Sequence, residues 1–235
     1  MAKEKTGISL IDFYNTETPE ASEFRRLHHN LAAILAAENK HALLVTSAMG
    51  SEGKSIISSF LAMTAARQKG KKTLLIDFDL RRPTIHRLFA LSRDNGLSDI
   101  LGDGKSVRTV VKTTSMDKLD IITAGRPISN PSDLIDPLAI RRILEEMKFY
   151  YEMIVIDSSP MIPVSDPLLI LEEVDGVLIV IKAGVTPRGV IRRACDLLAP
   201  QRSKVLGVVV NNLNHSLPYY YNYDYYGYRY KPTQQ

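Results

Sequence analysis

The sequence predicts an α/β domain: a mostly parallel, doubly wound sheet flanked by helices, followed by a flexible tyrosine-rich C-terminal tail. Three observations carry that expectation. Short β-branched apolar runs alternate with stretches of helical periodicity. Several of those runs are continuous rather than alternating, as strands covered on both faces read. A turn rich in small residues joins the first strand to the helix after it. With 235 residues, 45% of them hydrophobic and 24% charged, the chain has the size and composition of one globular domain with its own core.

In chain order, residues 1–17 form an N-terminal extension. Thr18 then offers a helix N-cap and Pro19 a first helical position. Phe24, Leu27, Leu31, Ile34 and Leu35 recur at helical spacing and should face the core. Strands are expected over 42–46, 73–76, 120–122, 153–156, 177–181 and 205–210. Further helices are expected over 54–68, stopping at Gly70, and over 134–150, 166–173 and 188–198. The main domain covers 18–217 and the tail 218–235. In that tail, Tyr219 to Tyr230 reads YYYNYDYYGYRY, eight tyrosines in twelve residues with no core pattern.

Several function classes drop out on composition. The net charge of +4 is modest, and the arginine pairs at 25–26, 81–82, 141–142 and 192–193 are dispersed, unlike a nucleic-acid-binding arm. The N-terminus leads into no signal-like apolar run, and the best apolar stretch, 174–181, is broken by Asp175 and closed by Lys182. The single cysteine, Cys195, excludes an internal disulfide and fits a reducing cytoplasm. Its neighbours Ala194, Leu197 and Leu198 predict a packed helix position.

The chemistry concentrates at strand ends. After the first strand comes Ala48-Met49-Gly50-Ser51-Glu52-Gly53-Lys54-Ser55, the P-loop pattern with alanine at its first position. Small residues let backbone N–H groups curl around a β-phosphate, and the following helix N-terminus favours an anion. Lys54 would reach the β- and γ-phosphates, and Ser55 would hold Mg²⁺ through its hydroxyl. Gly50, Ser51, Glu52 and Gly53 would supply the cradle. Asp77 and Asp79 end the second strand and Asp157 the fourth. In a parallel sheet such ends face one crevice, where carboxylates can order a metal's water shell or accept a proton. Each aspartate could equally cap a helix. Asn211 lies where it could contact an adenine or simply turn the chain, and Arg81 and Arg82 could face phosphate, the aspartates or solvent.

Taken together, these residues resemble the bacterial tyrosine kinases of capsule and exopolysaccharide synthesis. The resemblance rests on Gly53-Lys54-Ser55, the apolar segment ending Asp77-x-Asp79-x-Arg81, and the Asp157 strand. It extends to Arg81-Arg82-Pro83 with His86 and Phe89, Gly96-Leu97-Ser98-Asp99, Asn130-Pro131-Ser132 and the tyrosine cluster, spanning about residues 20 to 230. The family fold is that of the MinD/ParA-type P-loop ATPases. The resemblance implies a kinase using ATP and Mg²⁺, with Lys54, Asp77, Asp79 and Asp157 catalytic and Ser55, Asp77 and Asp157 around the metal. It implies phosphoacceptors at Tyr219, Tyr220, Tyr221, Tyr223, Tyr225, Tyr226, Tyr228 and Tyr230, phosphorylated between subunits of a ring. A membrane adaptor that recruits a cytoplasmic enzyme to the inner membrane face, and a cognate tyrosine phosphatase, are the implied partners. The family's subunit-contact motif, Glu-x-x-Arg-x-x-Arg, reads Ser22/Arg25/His28 or, one residue on, Glu23/Arg26/His29, with histidine replacing its last arginine.

Two rivals remain open. A partition or positioning ATPase shares the fold, but that class carries a second lysine where this loop has Met49, and it has no use for clustered tyrosines. A regulatory module that binds nucleotide without catalysis would not need the intact Lys54, Ser55 and aspartates. The tail itself could instead be an aromatic adhesive segment.

Overall fold

The computed structural model describes residues 7–37, 40–68 and 72–212; the tyrosine cluster and Gly70 lie outside them. Among the described residues, seven strands form one sheet: β1 (Ala42–Ser47), β2 (Thr73–Asp77), β3 (Lys112–Thr113), β4 (Leu119–Ile122), β5 (Met153–Asp157), β6 (Gly176–Lys182) and β7 (Val205–Asn211). Their spatial order is β3-β4-β2-β5-β1-β6-β7. Every pairing is parallel except that of the two-residue edge strand β3 with β4. All six expected strands are present. β3 is too short to leave a periodic signal.

The helices are α1 (Pro19–Ala37), α2 (Lys54–Ala66), α3 (Ile85–Leu88), α4 (Leu97–Asp103), α5 (Val107–Val110), α6 (Pro137–Lys148), α7 (Asp166–Leu171) and α8 (Arg188–Leu198). They divide between the two sheet faces. Leu43 and Val45 of β1 pack with α1, α2 and α3, while Ala42 and Leu44 pack with α4 to α8. Alternate residues of one strand therefore serve two cores. α6 starts three residues later than expected because Asp136 caps it, accepting from the N–H groups of Leu138 and Ala139, with Pro137 at its first position. A 3-10 turn, Pro131–Leu134, precedes it.

Two local expectations fail. Leu31 and Leu35 of α1 are buried, and Phe24 and Leu27 pack partly against the core, but Ile34 is exposed while Ala21 and His28 are buried in its place. The buried set 21, 28, 31, 35 is a strict a/d-like stripe, and Ile34 falls beside it. Cys195 is exposed, because Ala194 and Leu198 take the core-facing i, i+4 positions of α8. Residues 9–14 lie against α2: Tyr14 Oη shares a 3.0 Å hydrogen bond with Thr64 Oγ1, and its ring packs 5.9 Å from that of Phe60.

Candidate active site

β1 delivers the chain to the loop with Ala48 fully buried, so a small residue is what that position needs. The loop then turns through Ser51 (φ 63) and Gly53 (φ 94), and Lys54 opens α2. The turn is braced from inside. Glu52 is only 2% exposed: one of its carboxylate oxygens accepts the Met49 N–H at 2.7 Å, and the other takes the Thr186 hydroxyl. Thr186 in turn accepts the Lys182 N–H at 2.9 Å, tying the loop to the end of β6. Asn211, at the end of β7, donates its amide to the Glu52 carbonyl at 2.9 Å, and its Oδ1 accepts the Asn212 N–H. A Cβ on residue 53 would stand 2.2 Å from Asn211 Nδ2, so glycine is required there by space as well as by φ. Within the chain, then, Asn211 and the Glu52 side chain hold the loop's shape. Thr186 is a bracing residue that no motif announces.

The three aspartates converge as the parallel register requires. Asp77 and Asp157 are directly paired residues of β2 and β5, both with no exposed surface. The Phe78 N–H bonds the Asp157 carbonyl at 2.7 Å, fixing the turn that carries Asp79. Lys54 Nζ donates to Asp79 Oδ2 at 2.9 Å, with side chains 13% and 3% exposed. Ser58, one turn into α2, donates to Asp157 Oδ1 at 3.1 Å. Asp77 accepts three backbone N–H groups, from Asp79 on one oxygen and from Thr84 and Ile85 on the other. It thus caps the short helix α3 as well as standing in the cluster.

Such a cluster perturbs its own members. Burial, the Asp157 charge and, more weakly, Asp79 push Asp77 well above the usual carboxylate range against its backbone donors. Burial likewise raises Asp157 to about 6, although Lys54, Ser55 and Ser58 pull the other way. For Lys54, burial opposes the charge, but Asp157, Asp79 and Asp77 outweigh it and raise its pKa.

The fit to Mg²⁺ is decided by one atom. Asp157 Oδ2 is buried with no hydrogen-bond partner, and the Ser55 hydroxyl is near enough to this carboxylate to pull its pKa down. Buried carboxylate oxygens are rarely left unpaired, and this one has the hard-oxygen chemistry Mg²⁺ takes. Among the described residues, no three acidic, histidine or cysteine side chains form a self-sufficient metal cage. Mg²⁺ commonly keeps several waters and is held by one or two carboxylates plus substrate phosphates.

Arg81 is spent elsewhere. It forks onto Asp166, a buried residue of α7, at 2.8 and 3.3 Å, and reaches Ser132 Oγ at 2.5 Å, while Ser132 donates to Asp166 at 3.0 Å. The Asn130-Pro131-Ser132 motif therefore locks the segment after Asp79. Arg82 is exposed, and its backbone N–H bonds Asp79 Oδ1. Of the two readings of the subunit-contact motif, Glu23/Arg26/His29 lies wholly on the surface, with Arg26 paired to Glu23 at 2.6 Å. The alternative ends on the buried His28.

Comparison with known proteins agrees. The family described as ParA: NUBPL iron-transfer P-loop NTPase matches residues 38–220. CapB of Staphylococcus aureus is 35% identical over 95% of this chain and 100% of its own length. The tyrosine-protein kinase YwqD of Bacillus subtilis (strain 168) is 32% identical over 93% of this chain and 91% of its own. The kinase domain of the Escherichia coli tyrosine kinase ETK superposes with a TM-score of 0.82 at 28% identity, covering 95% of this chain and 88% of that one. On fold, loop and relatives together, the chain belongs to the bacterial tyrosine kinases, built on the ParA-type P-loop NTPase fold.

Proposed function

We propose that this protein binds ATP with Mg²⁺ and phosphorylates the tyrosines of its own tail, Tyr219 to Tyr230, between neighbouring copies. On this reading it regulates the synthesis and export of an exopolysaccharide or capsule. A membrane adaptor brings it to the inner face of the membrane, and a cognate phosphatase resets the tail. The observation that carries the reading is the Lys54–Asp79–Asp157–Asp77 cluster beside the P-loop, with one buried carboxylate oxygen still unpartnered. The eight tyrosines supply the acceptors.

The loop N–H groups and Lys54 would hold the phosphates, and Ser55 and Asp157 would hold the metal, with Asp77 beside them. Held there, Mg²⁺ would supply charge neutralisation to the transferring phosphate. The tyrosine oxygen forms a bond to the γ-phosphorus as the bond from that phosphorus to the β-phosphate's bridging oxygen breaks, releasing ADP. The phenolic proton passes to the Asp77 carboxylate, and from there to water. Phosphoryl transfer depends mainly on positioning and charge neutralisation, which the braced loop and buried cluster are built to provide.

The test is to incubate the purified protein with γ-labelled ATP and Mg²⁺ and separate label on protein from free phosphate. Label recovered as phosphotyrosine supports the kinase. Label released only as free phosphate overturns it in favour of an ATPase switch.

A further inference from the structure

A cavity of about 290 Å³ opens immediately beyond Asp79, lined by Leu80, Arg81, Arg93, Pro127, Ile128 and Pro131 together with Ser129. Its size is at the small end for ligand pockets, which run from about 300 Å³ upward, so it suits one side chain rather than a nucleotide. Its walls are of two kinds. Ile128, the prolines and the nearly buried Leu80 contribute a minor apolar part, and most of the exposed lining is polar, with two arginines presenting charge. Arg81 is committed to Asp166. Arg93 is not: its Nε donates to the Gly125 carbonyl at 2.7 Å, and it forms no ion pair among the described residues. Its remaining guanidinium donors are free to fork onto an anion. Arg81 and Arg93 are the charged residues of the lining; burial first, and then Arg93 and Arg87, lower the pKa of His86.

A small, mainly polar cavity with an uncommitted guanidinium matches a single side chain that carries a phosphate, and its few apolar atoms can meet the ring of a phosphotyrosine. The tail provides that group at the right spacing. Tyr219, Tyr221, Tyr223 and Tyr225 recur at every second residue, as do Tyr226, Tyr228 and Tyr230. In an extended segment, residues i and i+2 share a face about 7 Å apart. Asp79 in the catalytic cluster and Arg81 in the cavity are also two residues apart, hence no more than about 7 Å along the backbone.

We propose that this cavity is a phosphotyrosine subsite: it seats a tyrosine of residues 219–230 that is already phosphorylated and thereby presents the tyrosine two positions away to the catalytic cluster. The proposal rests on the kinase reading for the origin of the phosphotyrosine. Discrimination follows from charge. The unmodified cluster is neutral, with Asp224 cancelled by Arg229, whereas each phosphate adds about −1.5 to −2. Phosphorylation of the tail would then proceed from a first site outward, each product placing the next acceptor.

The test needs no transfer activity. Peptides of residues 218–230, one unmodified and one phosphorylated at Tyr223, are titrated by fluorescence anisotropy into the nucleotide-free protein. The phosphopeptide is expected to bind about 10- to 100-fold more tightly, the range of one charged hydrogen-bond pair. The preference should persist in Lys54→Met, which removes the side-chain charge with which the P-loop could rival the cavity for phosphate. It should disappear in Arg93→Gln and in Ser129→Glu, the latter placing a like charge on the cavity wall without touching any hydrogen bond of the fold. Equal binding of both peptides overturns the proposal. So does a preference that survives both cavity variants, or inorganic phosphate displacing the phosphopeptide at equal concentration. Loss of phosphotyrosine formation with the peptide preference intact would instead sink only the kinase reading.

Discussion

Replacing Lys54 with methionine tests the charge logic of the site twice over. Lys54 Nζ and Asp79 Oδ2 stand 2.9 Å apart and nearly out of solvent. Removing one partner of a buried pair leaves an uncompensated charge, at about 3–5 kcal/mol, and here Asp77 and Asp157 stand close by. A loss near 3 kcal/mol corresponds to roughly 6–12 °C in Tm for a domain of this size. The deficit has a definite pH dependence. Lys54 has a raised pKa, so its contribution is fully present through the neutral range and is lost only on alkaline titration. Without it, Asp157 rises further above its present value of about 6 and protonates more readily in the folded state. The deficit of Lys54→Met should therefore be large at pH 8 and shrink toward pH 5. Adding Asp79→Asn should restore much of the stability at pH 8 but none of the phosphotyrosine formation. Circular-dichroism melts of the wild type and of the single and double mutants at both pH values, beside a labelled-ATP assay, measure this. A single mutant as stable as wild type at pH 8, or one that keeps its kinase activity, would refute the reasoning.

Three further outcomes follow from the same geometry. Asp77→Asn and Asp157→Asn should each cut phosphotyrosine formation by at least about tenfold while changing ATP affinity by much less; full activity in both would leave these carboxylates as helix caps and loop supports only. Because the folded pKa of Asp157 lies above its ordinary 3.8, protonation favours the fold below about pH 4, and that contribution is lost as pH rises through about 6. The ionised, partnerless oxygen then favours a cation, so Mg²⁺–ATP should raise Tm more at pH 7.5 than at pH 5.0, and an equal shift in scanning calorimetry would contradict the assignment. Gly53→Ala should lose about 1–3 kcal/mol through its φ of 94 and its clash with Asn211, with weaker nucleotide binding; Asn211→Ala in the same chain should relieve the clash and recover part of the loss in urea unfolding.

Much of this was legible in the residues. Continuous apolar runs marked strands covered on both faces, and the register that pairs Asp77 with Asp157 follows from parallel strands ending together. What stayed hidden was short or non-local. The four-residue helices α3 and α5 and the two-residue β3 carry no period to read. Thr186 meets Glu52 across 134 residues, and Asp166 meets Arg81 across 85; neither spacing forms a motif, though Ser58 four residues after Lys54 could have been placed on the same helix face. Position 34 shows the limit of apolar periodicity. Isoleucine and leucine score alike, and only the packing of α1 on α2 decides that Ile34 stays outside while His28 goes in.

The most direct test of the central claim mixes two defective proteins. One carries Lys54→Met with its tail intact; the other keeps its site and has the eight tyrosines from Tyr219 to Tyr230 changed to phenylalanine. Neither should phosphorylate its own tail. Incubated together with ATP and Mg²⁺ and digested for mass spectrometry, they should yield phosphotyrosine within residues 219–230 of the Lys54→Met copy. ATP turnover by the second protein with no phosphate on those tyrosines would contradict the account.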